Sequence, residues 1–391
     1  MKLSDVATFV EEKVSSEDIS LLQYVTTDSL LQNKAGRTVA QNLPPQKCSL
    51  TSFKKGDVLL GNIRPYLKKI WYANIDGGCS QDVLVLRAKE NKNSSFLYAL
   101  LSQDSFFEYE MKATKGSKMP RGDKNHIMNF PCLDLKNKIG IGNFLSLLDK
   151  KIALNRHINA KLEQMAKQIY DYWFVQFDFP NSDGKPYKSS GGKMVYNAEL
   201  KREIPTGWEV RKLSDIANIT MGQSPDGTSY NENGDGVIFY QGSTDFGNRF
   251  PVVRMYTTSP TRFAKKGDIL MSVRAPVGTM NIANTNCCIG RGLAALNSKI
   301  GSIMHLWYLM DVFKHTFENK NSAGTTFGAI TKDELFNLLV IIPPKNIISS
   351  FDEKTISIFN YQLSIEQESA KLTALRDKLL PLLMNGQVEI I

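Results

Sequence analysis

The sequence predicts a mixed α+β protein: two tandem globular domains separated by a long antiparallel two-helix coiled coil, with a pseudo-twofold internal repeat. Three observations support this fold class. Apolar residues recur at heptad spacing through residues 141–175, and a second helical pattern covers residues 347–380. Such spacing is typical of helices that pack against another helix. Short motifs of the first domain also recur later in the chain, which indicates a duplication.

Residues 1–140 form the first predicted domain. Short runs of β-type residues at 57–60, 70–72 and 82–86 alternate with turns rich in Gly, Asn and Pro. Runs of this length between turn signals are typical of strands rather than helices. The segment is therefore predicted to be a mixed domain with much irregular loop.

The central helix is predicted within residues 141–179. At 1.5 Å per residue it would be roughly 50 Å long, which is longer than a small domain is wide. Two of its seam positions are polar, Asn155 and Asn159, and buried Asn residues fix the register of paired helices at some cost in stability. The seam consists of Leu145, Leu148, Ile152, Asn155, Asn159, Leu162, Ala166, Ile169 and Trp173.

The remaining chain is predicted as a linker (180–208), a second domain (209–344), and a distal helix with a tail (345–391). The linker is inferred from its polar, Gly-, Ser- and Lys-rich composition. Pro343 and Pro344 prevent an earlier start of the distal helix, and Pro381 with Gly386 is expected to end it. Its seam consists of Phe351, Thr355, Ile358, Gln362, Ile365, Ser369, Leu372 and Leu379.

The duplication is visible as two motifs in the same order. Residues 2–7 (KLSDVA) recur as KLSDIA at 212–217, and residues 54–59 (KKGDVL) recur as KKGDIL at 265–270. The offsets are nearly constant, which chance does not explain. If the two long helices pair, this order of elements makes them antiparallel. The alternative is that each helix packs on its own domain as an ordinary amphipathic helix.

Composition limits the classes of function. The formal net charge of +9 favours a polyanionic partner. No signal peptide and no apolar run of bilayer-spanning length is present, so no membrane association is expected and the location is predicted to be cytoplasmic. The five cysteines contain no CxxC pair, which argues against a disulfide framework or a zinc site.

Catalytic motifs are absent from the sequence. It has no GxGxxG, no P-loop and no Asn/Asp-Pro-Pro-aromatic tetrad, which a DNA amino-methyltransferase would need. A nuclease-like set, Asp183 with Glu199 and Lys201, lies wholly in the predicted linker, where no rigid element supports it. No catalytic and no metal-binding residue is therefore predicted, and the chain is interpreted as one that reads a partner.

Several loops carry the cations that such reading requires. Lysines and an arginine recur every third residue through 112–124, where Gly116, Pro120 and Gly122 oppose a helix. Cations and free backbone N–H groups suit phosphate contact, and Arg side chains can read base edges. A solvated basic loop is the alternative. The predicted DNA-binding residues are Arg64, Tyr66, Lys68, Lys69, Lys115, Ser117, Lys118, Arg121, Lys124, Arg274, Arg291, Thr325, Thr326 and Lys332.

The ordered set of motifs resembles the specificity (S) subunit of type I restriction–modification systems along essentially the whole chain. The motifs are FKKGD (53–57) with GNIRPY (61–66), GGCS (77–80), GSKMPR (116–121), LDKKI (148–152), KREIPTGW (201–208) and LRDKLLPLLMNG (375–386). The second copy lacks a counterpart of the NIRPY motif (62–66), so roles of residues in the first copy carry over to it less directly.

The resemblance implies two target recognition domains, each of which reads one half of a split DNA target. It also implies that the helices dock modification (methyltransferase) subunits, which restriction (endonuclease) subunits join. This chain would hold no cofactor; S-adenosylmethionine, ATP and Mg²⁺ would belong to the partners. A duplicated protein-binding adaptor without DNA specificity is the alternative function. The docking residues would be Leu148, Ile152, Asn155, Asn159, Leu162, Ile169, Trp173, Ile358, Ile365, Leu372 and Leu379.

Overall fold

The structure is a computed structural model that describes residues 1–114, 116, 118–322 and 328–390. The chain divides into two compact units. Unit one comprises Met1–Arg156 with Gln367–Ile391, and unit two comprises His157–Glu366. Each unit thus combines one globular domain with parts of both long helices.

Unit one contains two four-stranded sheets. Their strand orders are β1-β8-β5-β6 and β2-β4-β7-β3. The strands are β1 (Ala7–Phe9), β2 (Lys13–Ser15), β3 (Tyr24–Val25), β4 (Ser49–Phe53), β5 (Val58–Gly61), β6 (Ile70–Tyr72), β7 (Gly77–Cys79) and β8 (Val83–Ala88). The runs predicted at 57–60, 70–72 and 82–86 are therefore strands β5, β6 and β8.

Unit one contains four short helices and the start of the long helix α5. They are α1 (Leu3–Val6), α2 (Ser94–Leu101), α3 (Asp104–Met111), α4 (Lys124–Met128) and α5 (Lys138–Tyr170). Helix α5 is the central helix of the prediction. A π-helical turn, Asp171–Val175, follows it.

Unit two repeats the first sheet of unit one. Its strands β12, β20, β17 and β18 lie in the order β12-β20-β17-β18, which corresponds position by position to β1-β8-β5-β6. A five-stranded sheet, β13-β15-β14-β19-β16, takes the place of the other sheet. The strands are β12 (Ala217–Met221), β13 (Tyr230–Asn231), β14 (Val237–Tyr240), β15 (Tyr256–Thr257), β16 (Phe263–Ala264), β17 (Ile269–Ser272), β18 (Met280–Ile282), β19 (Cys287–Ile289) and β20 (Leu293–Ser298).

The segment predicted as a linker is folded. Strands β9 (Met194–Asn197) and β10 (Arg202–Pro205) form an antiparallel hairpin, and β11 (Glu209–Lys212) pairs with β21 (Leu339–Ile342). Ile204 and Trp208 are buried in the core of unit two together with Phe179. A composition rich in Gly, Ser and Lys concealed these few apolar anchors, whose contacts depend on tertiary structure.

Four further helices complete unit two and return the chain to unit one. They are α6 (Leu213–Ile216), α7 (Ile303–Ser322), α8 (Lys332–Phe336) and α9 (Lys345–Met384). Helix α9 starts at Lys345, directly after Pro344. It does not end at Pro381, which lies inside the helix. A proline in the last turn removes only one backbone donor, and Pro381 O still accepts from Asn385 N at 3.0 Å.

Helices α5 and α9 run antiparallel within each unit. In unit one, Arg376 Nη1 donates to Asp149 Oδ1 at 2.9 Å and Asn155 Nδ2 donates to Glu368 Oε2 at 2.8 Å. In unit two, Asn159 Nδ2 donates to Glu366 Oε2 at 2.9 Å. Residue numbers rise along α5 as those of their partners fall along α9. The predicted pairing is confirmed, and both asparagines bond across it.

Candidate nucleic-acid interface

The basic loop of the first copy lies against the turn that follows strand β5. Ile63 and Arg121 form an antiparallel bridge. Arg64 N donates to Pro120 O at 2.8 Å, and Gly122 N donates to Asn62 O at 3.1 Å. Parts of two predicted DNA-binding segments, residues 62–64 and 120–122, are thus brought together in one surface.

We call this pairing of the two segments the junction. The second copy forms the same junction from different residues. Arg274 and Ala329 form the bridge, and Ile330 N donates to Val273 O at 2.9 Å. A short helix follows in both copies: Asp123 caps α4, and Thr331 caps α8. The shared backbone carries Arg121 in one copy and Ala329 in the other. Equivalent surfaces therefore present different side chains.

Several predicted residues of the first copy are accessible. Arg64, Tyr66, Lys118 and Lys124 are exposed. Arg64 has a φ of 53°, in the left-handed region that non-glycine residues rarely adopt. Such strain is typical of segments held in a required geometry. Lys115 and Ser117 lie outside the described residues.

Two predicted cations are held by the protein itself. Lys68 Nζ pairs with Asp104 Oδ1 at 2.9 Å, and Lys34 Nζ pairs with the same oxygen at 3.0 Å. Lys69 Nζ donates to the carbonyl oxygen of Thr27. Contact with a phosphate would compete with these bonds. Lys68 and Lys69 are consequently weaker candidates for DNA contact than the sequence suggested.

Arg121 is oriented by an acidic neighbour. Its Nη2 lies 3.1 Å from Asp82 Oδ1, while 59% of its side chain stays exposed. An exposed pair of this kind contributes about 0–1 kcal/mol, so the guanidinium can be redirected at small cost. Arg121 is thus positioned and available.

The second copy presents a less basic surface. Arg274, Arg291 and Lys332 are exposed. Lys332 Nζ lies over the Phe336 ring at 5.2 Å. Thr325 and Thr326 lie outside the described residues.

A buried polar pair beneath the first junction was missed by sequence reasoning. Glu110 is fully buried, and among the described residues neither its carboxyl oxygens nor Asn62 Oδ1 finds a hydrogen-bond partner. A Cβ on Gly122 would lie 2.4 Å from Glu110 Oε1 and 2.9 Å from Asn62 Oδ1, so a larger residue there would require these side chains to move. Burial raises the pKa of Glu110 to about 8. The only sequence signal was an acid among the aromatic residues of α3.

The predicted docking residues of the two long helices are buried or half-buried. Leu148, Ile152, Asn155, Trp173 and Ile365 are buried. The other predicted docking residues, Asn159, Leu162, Ile169, Ile358, Leu372 and Leu379, are half-buried. Trp173, Ile169 and Ile358 pack in the core of unit two, and Leu379 packs against the core of unit one, so these side chains are already engaged within the chain.

Other positions of α5, of the π-helical turn after it and of α9 carry exposed apolar side chains. In unit one they are Leu147, Leu154 and Leu375. In unit two they are Met165, Tyr172, Val175, Ile356 and Tyr361. Exposed apolar residues concentrated along one element commonly mark an interaction site.

The structure adds two observations on sites and membranes. Within the described residues, no group of three or more His, Cys, Asp or Glu side chains is placed to hold a metal ion. Asp183, Glu199 and Lys201 are all exposed. None of the described helices combines the length and hydrophobicity needed to cross a bilayer.

Comparison with known proteins agrees with this architecture. The family model of the type I restriction modification DNA specificity domain matches residues 1–164 and 205–373, one match for each copy. The MjaX type I restriction enzyme specificity subunit of Methanocaldococcus jannaschii is 31% identical over 319 residues, which cover 79% of this chain and 72% of that protein. The HindI specificity subunit of Haemophilus influenzae is 24% identical over an alignment of 463 residues, gaps included, which covers 99% of this chain and 98% of that protein.

A solved structure shares the fold. The type I restriction–modification system S subunit from M. genitalium superposes with a TM-score of 0.60 at 14% identity, covering 100% of this chain and 96% of that one. The fold and the paired loops define a duplicated α+β protein with two related domains. The chain belongs to the type I restriction modification DNA specificity domain family.

Proposed function

We propose that this chain is the DNA-recognition subunit of a type I restriction–modification complex, in which each domain reads one half of a split target. The main support is the duplicated junction, where Arg121 and Ala329 occupy equivalent backbone positions. A shared scaffold with different side chains suits two different half-sites. The chain itself is a non-catalytic specificity subunit.

The proposed contacts divide into two kinds. Arg64, Lys118 and Lys124 in the first copy, and Arg274, Arg291 and Lys332 in the second, would neutralise phosphates. Arg121 would reach a base edge, because a guanidinium can bond both acceptors of guanine in the major groove. Phosphate contacts supply affinity, and base contacts supply sequence preference.

The partners are proposed from the family and the exposed helix faces. Modification subunits would dock on the apolar side chains exposed along α5 and α9, and restriction subunits would join them. S-adenosylmethionine, ATP and Mg²⁺ would be bound by those partners. Double-stranded DNA in the cytoplasm would be the target.

We also propose that the length of the α5–α9 pair sets the number of unspecified base pairs between the half-sites. Helix α5 is continuous from Lys138 to Tyr170, and its residues bond to α9 in both units. A paired helix is stiffer than a linker of similar length. Spacer length should therefore follow helix length.

Genome-wide methylation sequencing with and without this chain tests the function. The expected result is a split motif with adenine methylation that disappears when the chain is removed. A motif that persists without the chain would contradict the proposal. A protein-binding adaptor is distinguished by DNA binding in solution, because phosphate-driven affinity must fall steeply as salt is raised.

A further inference from the structure

No strand that the structure describes lies beside the outer edge of β6 in unit one. Ala73 N donates to Asp57 O at 2.9 Å, and Gly61 N donates to Lys69 O at 2.9 Å. Since alternate residues of an antiparallel strand point their backbone groups to opposite sides, those of Ile70 and Tyr72 point away from β5. Among the described residues, no backbone group bonds to Tyr72 on that side.

The second copy closes the equivalent edge with its own chain. Strand β18 occupies the place of β6, and Ile282, which corresponds to Tyr72, donates from N to Arg249 O at 2.7 Å. The Arg249 side chain then lies over the Trp307 ring at 4.6 Å and pairs with Glu163. Unit two therefore shows what an occupied edge looks like.

In unit one an open cleft of about 770 Å³ lies beside β6. This volume is within the range of ligand-binding clefts. Seven cations and a single carboxylate line it, together with Trp71, Tyr72 and Tyr98. The charged residues are Lys34, Arg37, Lys55, Lys92, Lys150, Arg156, Arg376 and Asp149.

The cleft has an excess of uncompensated positive charge. Asp149 is already paired with Arg376 at 2.9 Å. In the part of the chain that the structure describes, Arg37, Lys150 and Arg156 form no ion pair. The Arg37 guanidinium lies over the Trp71 ring at 4.4 Å, and its Nη1 is buried without a hydrogen-bond partner. A carboxylate entering the cleft would satisfy that group.

We propose that this cleft binds an extended acidic segment of a partner subunit, which adds as a strand to the free edge of β6. Strand addition supplies backbone hydrogen bonds, and alternate side chains supply specificity. A strand edge presents alternating donors and acceptors, which a peptide matches and a phosphate backbone does not. That the segment comes from a partner subunit rests on the proposed function; the chemistry of the cleft does not.

The first test uses the full chain and a fluorescent peptide with blocked ends and the sequence Glu-Val-Glu-Val-Glu-Val. We expect saturable binding by fluorescence anisotropy, and none by the matching Lys-Val peptide. The double variant Lys150→Glu/Arg156→Glu, at two exposed positions, should weaken binding at least about tenfold, because it replaces two attractive charges with two repulsive ones. The control Lys185→Glu/Lys188→Glu makes the same charge change in unit two and should bind as the parent does.

The second test addresses the strand edge. Tyr72→Pro removes the N–H that an added strand would use, and proline is tolerated on edge strands. This variant should lose peptide binding, whereas Tyr72→Phe should retain it. Equal binding by both variants, or by both peptides, would overturn the proposal.

Two further outcomes separate this proposal from its rivals. Displacement of the acidic peptide by a short mixed-sequence DNA duplex would identify the cleft as a DNA surface and overturn the proposal. In the assembled complex, Lys150→Glu/Arg156→Glu should weaken subunit association while leaving the half-sites unchanged in methylation mapping. If methylation mapping with the unaltered chain shows no split motif, the proposed function is refuted, whatever the result of the peptide-binding test.

Discussion

Arg249 pairs with Glu163 across unit two, joining the second domain to helix α5. Arg249 is only 7% exposed, and its guanidinium lies over the rings of Trp307 and Phe359. Glu163 also accepts a hydrogen bond from Gln362 Nε2 of α9 at 3.0 Å. One carboxylate thus connects the domain and both long helices. Arg249 Nη1 makes the pair with Glu163, and Nε and Nη2 have no hydrogen-bond partner within the described residues, so the charge depends on Glu163.

Glu163→Ala is expected to destabilise unit two because it leaves that guanidinium buried and unpaired. The loss should be about 2–4 kcal/mol, since Glu163 is partly exposed and water compensates some of the cost. Urea denaturation measures it. Glu353→Ala, at an exposed position on α9, is the control and should change stability by less than about 0.5 kcal/mol. Adding Arg249→Met to Glu163→Ala should recover most of the loss; a double variant as unstable as the single one would contradict this account.

The buried carboxyl of Glu110 should make the free energy of unfolding depend on pH. Burial raises its pKa from 4.5 to about 8 in the folded chain. The folded state therefore keeps a proton that the unfolded state loses, and stability falls as pH rises from about 4.5 to 8. The slope from this group is about 1.4 kcal/mol per pH unit.

Glu110→Gln should remove that slope because Gln cannot ionise. Thermal unfolding between pH 5 and 8, about the range bounded by the two pKa values, should show the variant gaining on the parent protein as pH rises. The matched control is Glu108→Gln, which lies exposed on the same helix and should leave the pH profile unchanged. Parallel profiles for Glu110→Gln and the parent protein would refute the assignment.

Local turn motifs explain why the duplicated part of the fold could be predicted from the sequence. Lys54 N and Lys265 N each donate to an aspartate, Asp57 and Asp268, at 2.8 Å in both copies. Because donor and acceptor are three residues apart, the repeated KKGD motif encodes the same turn twice. The same sheet order follows in both copies, so the predicted duplication is confirmed.

The features that were missed depend on residues far apart in sequence. Lys69 bonds to Thr27 O across 42 residues, which no local pattern indicates. Trp208 is buried with Phe179 although a polar segment separates them. The cations in the loops could be identified from the sequence. Which of them form bonds within the protein could be seen only in the structure. The DNA contacts stay a prediction.

Arg121→Ala is expected to relax recognition at one half-site only. A lost base contact of this type costs about 1–3 kcal/mol at that position. Binding should be compared on duplexes in which each half-site is altered in turn. Lys136→Ala, at an exposed position outside the junction, should leave both halves unchanged. Equal weakening at both half-sites would show that Arg121 contributes only general affinity.

The proposed role of the helix pair is tested by lengthening it at the boundary between the two units. A second copy of residues 150–156 is inserted after Arg156, and a second copy of residues 367–373 is inserted before Gln367. Whole heptads keep the seam in phase, and the contacts described within each unit are retained. The added seven residues lengthen the pair by about 10 Å, or about three base pairs of DNA. Methylation mapping should then show the same two half-sites with a longer spacer.

The control for this experiment inserts the heptad in α5 alone. This variant shifts one seam against the other, separates Asn155 from Glu368 or Asn159 from Glu366, and should lose methylation at every spacing. Loss in the single insertion, together with a shifted spacer in the paired insertion, requires that the two helices act as one element of defined length. An unchanged spacer in the paired insertion would mean that the half-sites are positioned by the partner subunits, and the helices would then serve only as a docking surface.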